Sequence, residues 1–176
     1  MIYQPAEDSY LLQEVLKKKI KKLLKENQEL SVLEIGPGSG IQLETLKELG
    51  VKRILAVDIN PESVKHCTEL GFNCIKSNLF ENIKEKFNVI LFNPPYLPRN
   101  PEEDEESQIA TTGGKKGSEV VNKFLKQAKD FLKKDGKIFL LTSDLTKDIF
   151  WRAWKKKKIA RKKIFFEELS IWELTN

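Results

Sequence analysis

Apolar residues along this chain fall alternately into short continuous runs and into stripes of helical spacing, with polar turns between them. A short continuous run is typical of a strand buried on both faces, whereas a stripe at every third or fourth position indicates a helix packed on one side. Strands that alternate with helices favour one largely parallel α/β sheet. The predicted helices are Asp8–Lys25, Gln42–Leu49, a segment opening at Pro61, Glu119–Lys133 and Leu145–Lys156, and the predicted strands are Ser31–Ile35, Arg53–Val57, Phe72–Lys76, Val89–Phe92 and Lys137–Thr142.

The last two apolar runs, Ile159–Phe166 and Leu169–Leu174, lie too close together for a crossover helix, so they predict an antiparallel hairpin. With the five preceding strands they predict an α/β fold built on a seven-stranded sheet with a terminal antiparallel hairpin. Phe72–Lys76 would be an edge strand of that sheet. We expect residues 1–176 to form one domain, in which residues 1–27 are a helical segment that contributes to the ligand site.

The tetrapeptide Asn93-Pro94-Pro95-Tyr96 directly follows the fourth predicted strand, at the sheet edge where ligands of open α/β folds bind. The prolines stiffen the turn and donate no N–H, so the Asn93 side-chain oxygen and the Pro94 carbonyl form a rigid pair of acceptors beside the Tyr96 ring. Such a pair suits a planar substrate that carries an –NH2 group. We assign Asn93, Pro94 and Tyr96 to catalysis and all four residues to substrate binding. The alternatives are a simple proline-rich turn and, for Tyr96, ordinary core packing.

A glycine loop with the pattern G-x-G-x-G follows the first predicted strand, and an acidic residue follows the second. Alternate glycines let the backbone bend and approach a ligand closely, and the spacing differs from the dinucleotide pattern G-x-G-x-x-G. The acid can accept from both hydroxyls of a ribose, or it can cap the turn before Pro61. Together with the Asn-Pro-Pro-Tyr motif, these features predict S-adenosylmethionine as cofactor. The predicted cofactor-binding residues of this region are Glu34, Gly36, Gly38, Gly40, Asp58, Asn78 and Leu79.

The net charge of +5 comes from 27 lysines and four arginines against 26 acids, a lysine-rich balance that is common in hyperthermophile proteins and weak evidence for nucleic-acid binding. We interpret the lysine runs Lys17–Lys19, Lys21–Lys22 and Lys155–Lys158 as solvated helix faces, with a basic patch as the alternative. The acidic run Glu102–Glu106 would repel a phosphate backbone, which argues against a nucleic-acid substrate. This run belongs to the irregular stretch Leu97–Ser118, which predicts a lid over the substrate with bends at Gly113, Gly114 and Gly117.

The cysteine and histidine content argues against several kinds of site. Cys67 and Cys74 are expected to be free thiols, and His66 is the single histidine, so neither a metal site nor a Ser-His-Asp triad is expected. No apolar run approaches membrane-spanning length, and the opening residues lack a secretory signal pattern. We therefore expect a soluble cytoplasmic protein.

The opening segment Tyr3–Leu12, with the sequence YQPAEDSYLL, resembles HemK-related protein glutamine methyltransferases, as do Val32–Gly40, Asn93–Tyr96 and Gly113–Gly117. PAEDSYLL and the lack of a preceding helical domain are similar to the archaeal and eukaryotic branch. The resemblance covers essentially the whole chain and implies the Rossmann-like class I methyltransferase fold. It implies as substrate the glutamine of the Gly-Gly-Gln loop of a class I release factor, methylated on its side-chain nitrogen. It also implies a possible small zinc-binding activator subunit, for which the Phe72–Lys76 edge strand is a candidate pairing site.

The same resemblance implies roles for individual residues. The family usually has Asp where this chain has Asn78, and because an amide oxygen can also accept from an adenine amino group, we expect an altered cofactor affinity. Gly113 and Gly114 are assigned to substrate binding. Asn93 and the Pro94 carbonyl would hold the target amide. The implied contacts to the cofactor are Ser9, Glu34 and Gly36 at its methionine portion, Asp58 at its ribose, and Asn78 and Leu79 at its adenine.

Three other functions remain open. An adenine-N6 methyltransferase on DNA or RNA is one, because the Asn-Pro-Pro-Tyr motif can hold any exocyclic amino group. A protein lysine methyltransferase is another, although the chain offers no obvious base to deprotonate the amine. The third is a non-catalytic nucleotide-binding subunit, against which the intact Glu34, Asp58 and Asn93 argue.

Overall fold

The computed structural model describes residues 2–97 and 111–176. Within these ranges the chain alternates helices and strands up to β3, continues to β4 without an intervening helix, and then adds one α-helix and three strands. The helices are α1 (Glu7–Glu26), α2 (Ile41–Glu48), α3 (Pro61–Glu69) and α4 (Glu119–Gln127), and the strands are β1 (Ser31–Ile35), β2 (Arg53–Asp58), β3 (Cys74–Lys76), β4 (Phe87–Phe92), β5 (Leu132–Ser143), β6 (Lys155–Ile164) and β7 (Glu167–Thr175).

The seven strands form one sheet in the order β3-β2-β1-β4-β5-β7-β6. Strands β1 to β5 are parallel to their neighbours, and β7 lies antiparallel between β5 and β6. This confirms the predicted fold with its terminal hairpin and places β3 at an edge. The chain moves outward from β1 to β3 and then returns to the other side at β4. The carboxyl ends of β1 and β4 therefore flank the point at which open α/β sheets bind ligands.

Helix α1 packs its apolar stripe against one face of the sheet, where Leu12, Leu16 and Ile20 are fully buried. Burial of one such side chain contributes roughly 2 kcal/mol. The other face is covered mainly by α4 and by aromatic side chains, with the Phe92 ring tilted against the Phe124 ring at 4.7 Å between ring centroids. The first turn of α1 lies at the ligand edge because the Gln42 side chain donates to the Ser9 carbonyl at 2.7 Å.

The predicted helix Leu145–Lys156 was wrong. The chain runs from a turn at Asp144 through irregular backbone to Trp154. Two tertiary contacts hold it there: the Asn122 side chain donates to the Asp148 carbonyl and accepts from the Phe150 amide, and the buried Trp154 indole donates to the Leu125 carbonyl. These bonds satisfy backbone groups that a helix would have paired internally.

The interpretation of Lys155–Lys158 as a helix face was also wrong. These residues open the edge strand β6. Lysines along an exposed edge discourage pairing with another chain. The dipeptide Asp135-Gly136 is typical of a turn, but it lies inside β5, where the pairing with β4 is irregular. Helix α4 also ends earlier than predicted, at Gln127, and a 3-10 turn follows over Ala128–Phe131.

The acidic run Glu102–Glu106 and most of the predicted lid lie outside the described residues. At the two ends of that stretch, Leu97 forms a parallel bridge with Thr112. In the parts of the chain that the structure describes, every helix is too short or too polar to cross a membrane.

Candidate active site

A cleft of about 410 Å³ opens at the carboxyl ends of β1, β2 and β4, between the first turn of α1 and the start of α4. Its walls come from segments far apart in sequence that the parallel strands bring to one edge. Of the residues predicted to form the site, it is lined by Ser9, Glu34, Gly36, Gly38, Asp58, Asn78, Leu79, Asn93, Pro94, Pro95 and Tyr96.

Gly40, Gly113 and Gly114 do not line the cleft. Gly40 begins α2 with φ of +82°, and a Cβ there would lie 3.2 Å from Leu70 of the segment after α3. A Cβ on Gly113 would lie 2.5 Å from the Pro95 carbonyl oxygen, so this glycine lets the chain pack directly against the Asn-Pro-Pro-Tyr segment. Gly40 and Gly113 therefore touch segments that shape the cleft, while the roles predicted for them remain predictions.

The glycine loop turns sharply because Gly36 and Gly38 take left-handed conformations, with φ of +66° and +51°. The Gly36 amide donates to the Val57 carbonyl at 2.8 Å, which ties the loop to β2. L-residues with side chains adopt such backbone angles only at a cost, so the loop geometry accounts for the glycine pattern.

Glu34 lies at the floor of the cleft with its side chain almost completely buried. Its Oε2 receives no hydrogen bond from any described residue. Burial raises the pKa of the Glu34 carboxyl well above its ordinary value of 4.5, with smaller contributions from Cys67 and Asp58. A buried acceptor without a donor fits the ammonium group of an amino-acid ligand, which is the methionine end of S-adenosylmethionine.

Glu34→Gln should make the ligand-free protein more stable and weaken cofactor binding. Because the folded pKa is raised, from pH 4.5 upwards the folded protein holds a proton that the unfolded chain releases, so the free energy of unfolding falls as the pH rises. Glutamine has no charge to desolvate, and at pH 7 we expect the variant to be about 1–3 kcal/mol more stable. The melting-temperature difference between variant and wild type should grow from pH 4.5 towards neutrality.

The matched control is Glu44→Gln, which removes an exposed carboxylate from the first turn of α2. Its melting temperature should follow the wild type at every pH. Calorimetry should show at least about tenfold weaker cofactor binding for Glu34→Gln, and unchanged binding would contradict the assignment.

Asp58 ends β2 and also lines the cleft. Burial raises the pKa of its carboxyl, and hydrogen bonds from the Asn60 and Gly38 amides and the Ser63 hydroxyl oppose that rise. The residue that caps α3 is Asn60, whose side chain accepts from the Glu62 amide. Asp58 therefore does not cap the helix itself, although it does cap the turn before it. Asp58 orders the turn through the Asn60 amide at 2.8 Å and still presents its carboxylate to the cleft.

Asn78 and Leu79 follow β3 on the same side of the cleft. The Asn78 side-chain nitrogen donates to Glu81 at 2.9 Å. Because the nitrogen faces Glu81, the side-chain oxygen points away from that residue. Leu79 is buried with φ of +54°, an uncommon conformation for a bulky residue, and the Ser77 hydroxyl holds it by donating to its carbonyl. Local backbone strain of this kind is often found at binding sites.

Asn93 is held by Asp8, a residue of the first turn of α1. The Asn93 Nδ2 lies 2.9 Å from the Asp8 Oδ2, and because a carboxylate can only accept, the amide nitrogen must face it. The Asn93 Oδ1 is consequently turned away, and it is buried without a donor among the described residues. Asp8 is only 3% exposed, and its other donors are the Tyr3 hydroxyl and the Ser9 amide and hydroxyl.

Tyr96 both lines the cleft and packs against the apolar cluster under α1, so its two predicted environments coexist. Burial, and after it Asp8, raises the pKa of the Tyr96 phenol, which therefore stays neutral. The Thr146 hydroxyl donates to the Tyr96 carbonyl at 3.0 Å. No described residue donates a hydrogen bond to the Pro94 carbonyl.

Sequence reasoning assigned no role to several residues of this cleft, among them Asp8. An acid in the first turn of a helix is ordinarily explained by the helix dipole, so the pattern hid its longer-range contact. The segment PAEDSYLL did carry a signal for a role of Asp8 in the site, because Asp8 directly precedes Ser9, which was predicted to bind the cofactor. Other cleft-lining residues without a predicted role include Tyr3, Gln42, Thr111 and Thr112.

Residues 9–171 match the model of a methyltransferase domain family. The structure of the Mtq2–Trm112 complex of E. cuniculi, described as responsible for methylation of the eRF1 translation termination factor, aligns with 98% of this chain and 97% of its own at a TM-score of 0.73 and 24% identity. At that identity the likeness shows a shared fold. The fold, the cleft and the domain match define a class I methyltransferase that uses S-adenosylmethionine.

Two relatives by sequence narrow this class. A candidate protein N5-glutamine methyltransferase of Methanocaldococcus jannaschii is 38% identical over 98% of this chain and 92% of its own length. The eRF1 methyltransferase catalytic subunit mtq2 of Schizosaccharomyces pombe is 31% identical over 80% of this chain and 71% of its own. The chain therefore belongs to the protein N5-glutamine methyltransferase family, which confirms the resemblance to HemK-related enzymes.

Proposed function

We propose that this protein methylates the side-chain nitrogen of the glutamine in the Gly-Gly-Gln loop of a class I translation release factor. The observation that carries the proposal is the buried Asn93 Oδ1, to which no described residue donates a hydrogen bond. Asp8 orients it by accepting from the amide nitrogen of the same side chain. The relative from Schizosaccharomyces pombe, whose name specifies eRF1, supports a release factor as the acceptor.

The donor set of the cleft fits S-adenosylmethionine. Glu34 would hold its ammonium group, Asp58 its ribose, and Asn78 with Leu79 its adenine, while Gly36 and Gly38 let the backbone approach it. When bound, S-adenosylmethionine supplies a methyl group activated by a positively charged sulfur.

The residues of the Asn-Pro-Pro-Tyr segment would prepare the acceptor. An amide nitrogen is a poor nucleophile because its lone pair is delocalised into the carbonyl group. Asn93 Oδ1 and the Pro94 carbonyl would accept the two N–H groups of the target amide, fix the direction of its nitrogen, and favour the positive charge that develops there. The neutral Tyr96 ring would pack beside the amide plane and exclude water from it.

The proposal is tested by incubating the protein with labelled S-adenosylmethionine and the class I release factor of its own cell. Mass spectrometry should locate one added methyl group on the glutamine of the Gly-Gly-Gln loop. A release factor with Gln→Ala at that position is the matched control, and it should take no label. Undiminished labelling of the control would refute the proposed acceptor.

The edge strand β3 is the candidate site for a small zinc-binding activator subunit. Its outer backbone groups have no neighbouring strand in the described sheet, and Ile75 is only half-buried. The complex described for the E. cuniculi structure supports the idea of such a subunit. Purification of the tagged protein from its native cell should recover the subunit at equal stoichiometry, and its absence there would contradict the proposal.

A further inference from the structure

The turn between β6 and β7 projects beyond the sheet at the same edge as the cleft. Ile164 and Glu167 are the last pair of the hairpin, so Phe165 and Phe166 are its two turn residues. Ser143, at the carboxyl end of β5, pairs with Leu169. The turn therefore stands three residues further out, roughly 10 Å beyond the end of β5.

Both turn residues are unfavourable for the stability of the hairpin itself. Phe165 is 91% exposed and Phe166 is 97% exposed, so both rings meet water. Phe165 also has φ of +42°, at the first position of a two-residue loop, where glycine is preferred. A bulky residue held in this conformation and exposed to solvent is a local departure from what folding favours, and such departures concentrate at functional sites.

The turn is nevertheless held firmly. The Ser143 hydroxyl donates to Glu167 at 2.6 Å, and the Glu168 amide donates to the Asp144 side chain at 2.9 Å. Lys162 forms an ion pair with Glu7 at the start of α1. The two rings are therefore presented on a support fixed to the sheet and to α1.

The turn lies close enough to the cleft for one protein to touch both. Glu167 contributes, after burial and Asp8, to the raised pKa of Tyr96, which places it within electrostatic reach of the Asn-Pro-Pro-Tyr segment. β7 is two strands from β4, a separation of about 10 Å. Phe92, the last residue of β4, pairs with Leu140, so the turn lies about five residues further along the strand direction than Asn93. Together with the lateral separation, this puts Phe165 and Phe166 on the order of 20 Å from Asn93. A folded acceptor spans that distance, whereas a single glutamine side chain does not.

The adjacent strand β6 is strongly basic, with seven lysine or arginine residues. Lys158 and Arg161 pair with Glu168, and Lys162 pairs with Glu7. The remaining cations have no carboxylate partner among the described residues, and they are Lys155, Lys156, Lys157 and Lys163. This edge attracts an acidic surface, with Lys163 nearest to the turn.

We propose that Phe165 and Phe166 are a docking surface for the acceptor protein, which places an apolar patch on the two rings and acidic side chains along β6. This inference rests on the proposed function, because it describes how the acceptor of the same cleft is held. At the turn itself Asp144 and Glu167 lie beside Lys163, so the surface around the two rings suits an apolar contact better than a phosphate backbone. The acidic side chains of the acceptor would lie further along β6.

The test is the double variant Phe165→Gly/Phe166→Ser. Glycine suits the left-handed position, so the melting temperature should be unchanged or higher. The Kd for the intact release factor, measured by calorimetry, and the KM for its methylation should both rise about tenfold or more, with kcat at saturation within about twofold. A five-residue peptide centred on the acceptor glutamine extends only about 7 Å to each side, so its kcat/KM should not change.

The matched control is Phe150→Ser, which removes a ring that is 71% exposed outside the hairpin and should leave every constant unchanged. An unchanged Kd for the intact acceptor in the double variant, or an equal loss with the short peptide, would overturn the docking surface. It would also be overturned if the double variant lost affinity for a single-stranded RNA and not for the acceptor. A wild type that binds the release factor through this turn without methylating it would refute the proposed function alone, and a wild type that does not bind it would refute both.

Discussion

Asn93→Ala should reduce kcat for glutamine methylation by about 100- to 1000-fold while leaving the cofactor Kd within about threefold. The substitution removes the Oδ1 that we expect to hold the target amide, and it also removes the amide nitrogen that contacts Asp8. Single-turnover methylation followed by mass spectrometry gives kcat, and calorimetry gives the cofactor Kd. Asn27→Ala, which truncates an exposed asparagine at the end of α1, is the matched control and should retain full activity.

The shape-preserving variant Asn93→Asp separates the acceptor role of the Asn93 oxygen from the contact of the Asn93 nitrogen with Asp8. It keeps an oxygen acceptor, but it replaces the nitrogen 2.9 Å from the Asp8 carboxylate with a second oxygen. Two carboxylates in contact cannot both be ionised easily, so one of them takes up a proton at a raised pKa. The variant should be as inactive as Asn93→Ala at pH 8 and should recover part of its activity as the pH falls. Equal activity of Asn93→Asp and wild type at pH 8 would refute the orientation of Asn93.

Asp8→Asn should lower kcat by about 10- to 100-fold with little change in the acceptor KM, because Asp8 acts by positioning Asn93. The carboxylate accepts from Asn93, Tyr3 and Ser9, whereas an amide in its place offers one acceptor and one donor. The new –NH2 group would then face Asn93, Tyr3 or Ser9, each of which donates to Asp8 in the wild type. Asn93 could respond by flipping its amide, which would turn its oxygen away from the substrate. Pre-steady-state measurement of the methyl-transfer step should show the decrease directly.

The control for Asp8→Asn is Glu7→Gln, which changes the neighbouring acid of the same helical turn. Glu7 is exposed and pairs with Lys162 of β6, so its loss should change the melting temperature and kcat only slightly. If both variants lost the same fraction of kcat, the effect would belong to the charge at the start of α1 and not to the contact with Asn93.

Much of the cleft could be predicted because its residues stand next to strand ends. Gly36 and Gly38 follow β1, Asp58 ends β2, and Asn93 follows β4. In a parallel sheet all these ends meet at one edge, so order along the chain was enough to bring them together. The antiparallel hairpin was predictable for an equally local reason, the short spacing between its two apolar runs.

Contacts between distant segments could not be predicted in this way. Leu145–Lys156 has a helix-like pattern, but side-chain bonds from Asn122 and packing of Trp154 override it. Such bonds depend on where α4 lies in the folded molecule. Phe165 and Phe166 were assigned to a strand by their apolar character, and the structure shows them as an exposed turn.

The sequence by itself determined the class of sheet, the glycine loop after β1 and the tetrapeptide after β4 that we propose to bind the acceptor, because each depends on residues adjacent in the chain. Only the tertiary structure showed that Asp8 orients Asn93 across a separation of 85 residues. It alone also placed the β6–β7 turn beside the cleft. The physical reason is that a hydrogen bond or a shared surface between distant segments depends on how the helices and the hairpin pack on the sheet, and no local pattern encodes that packing.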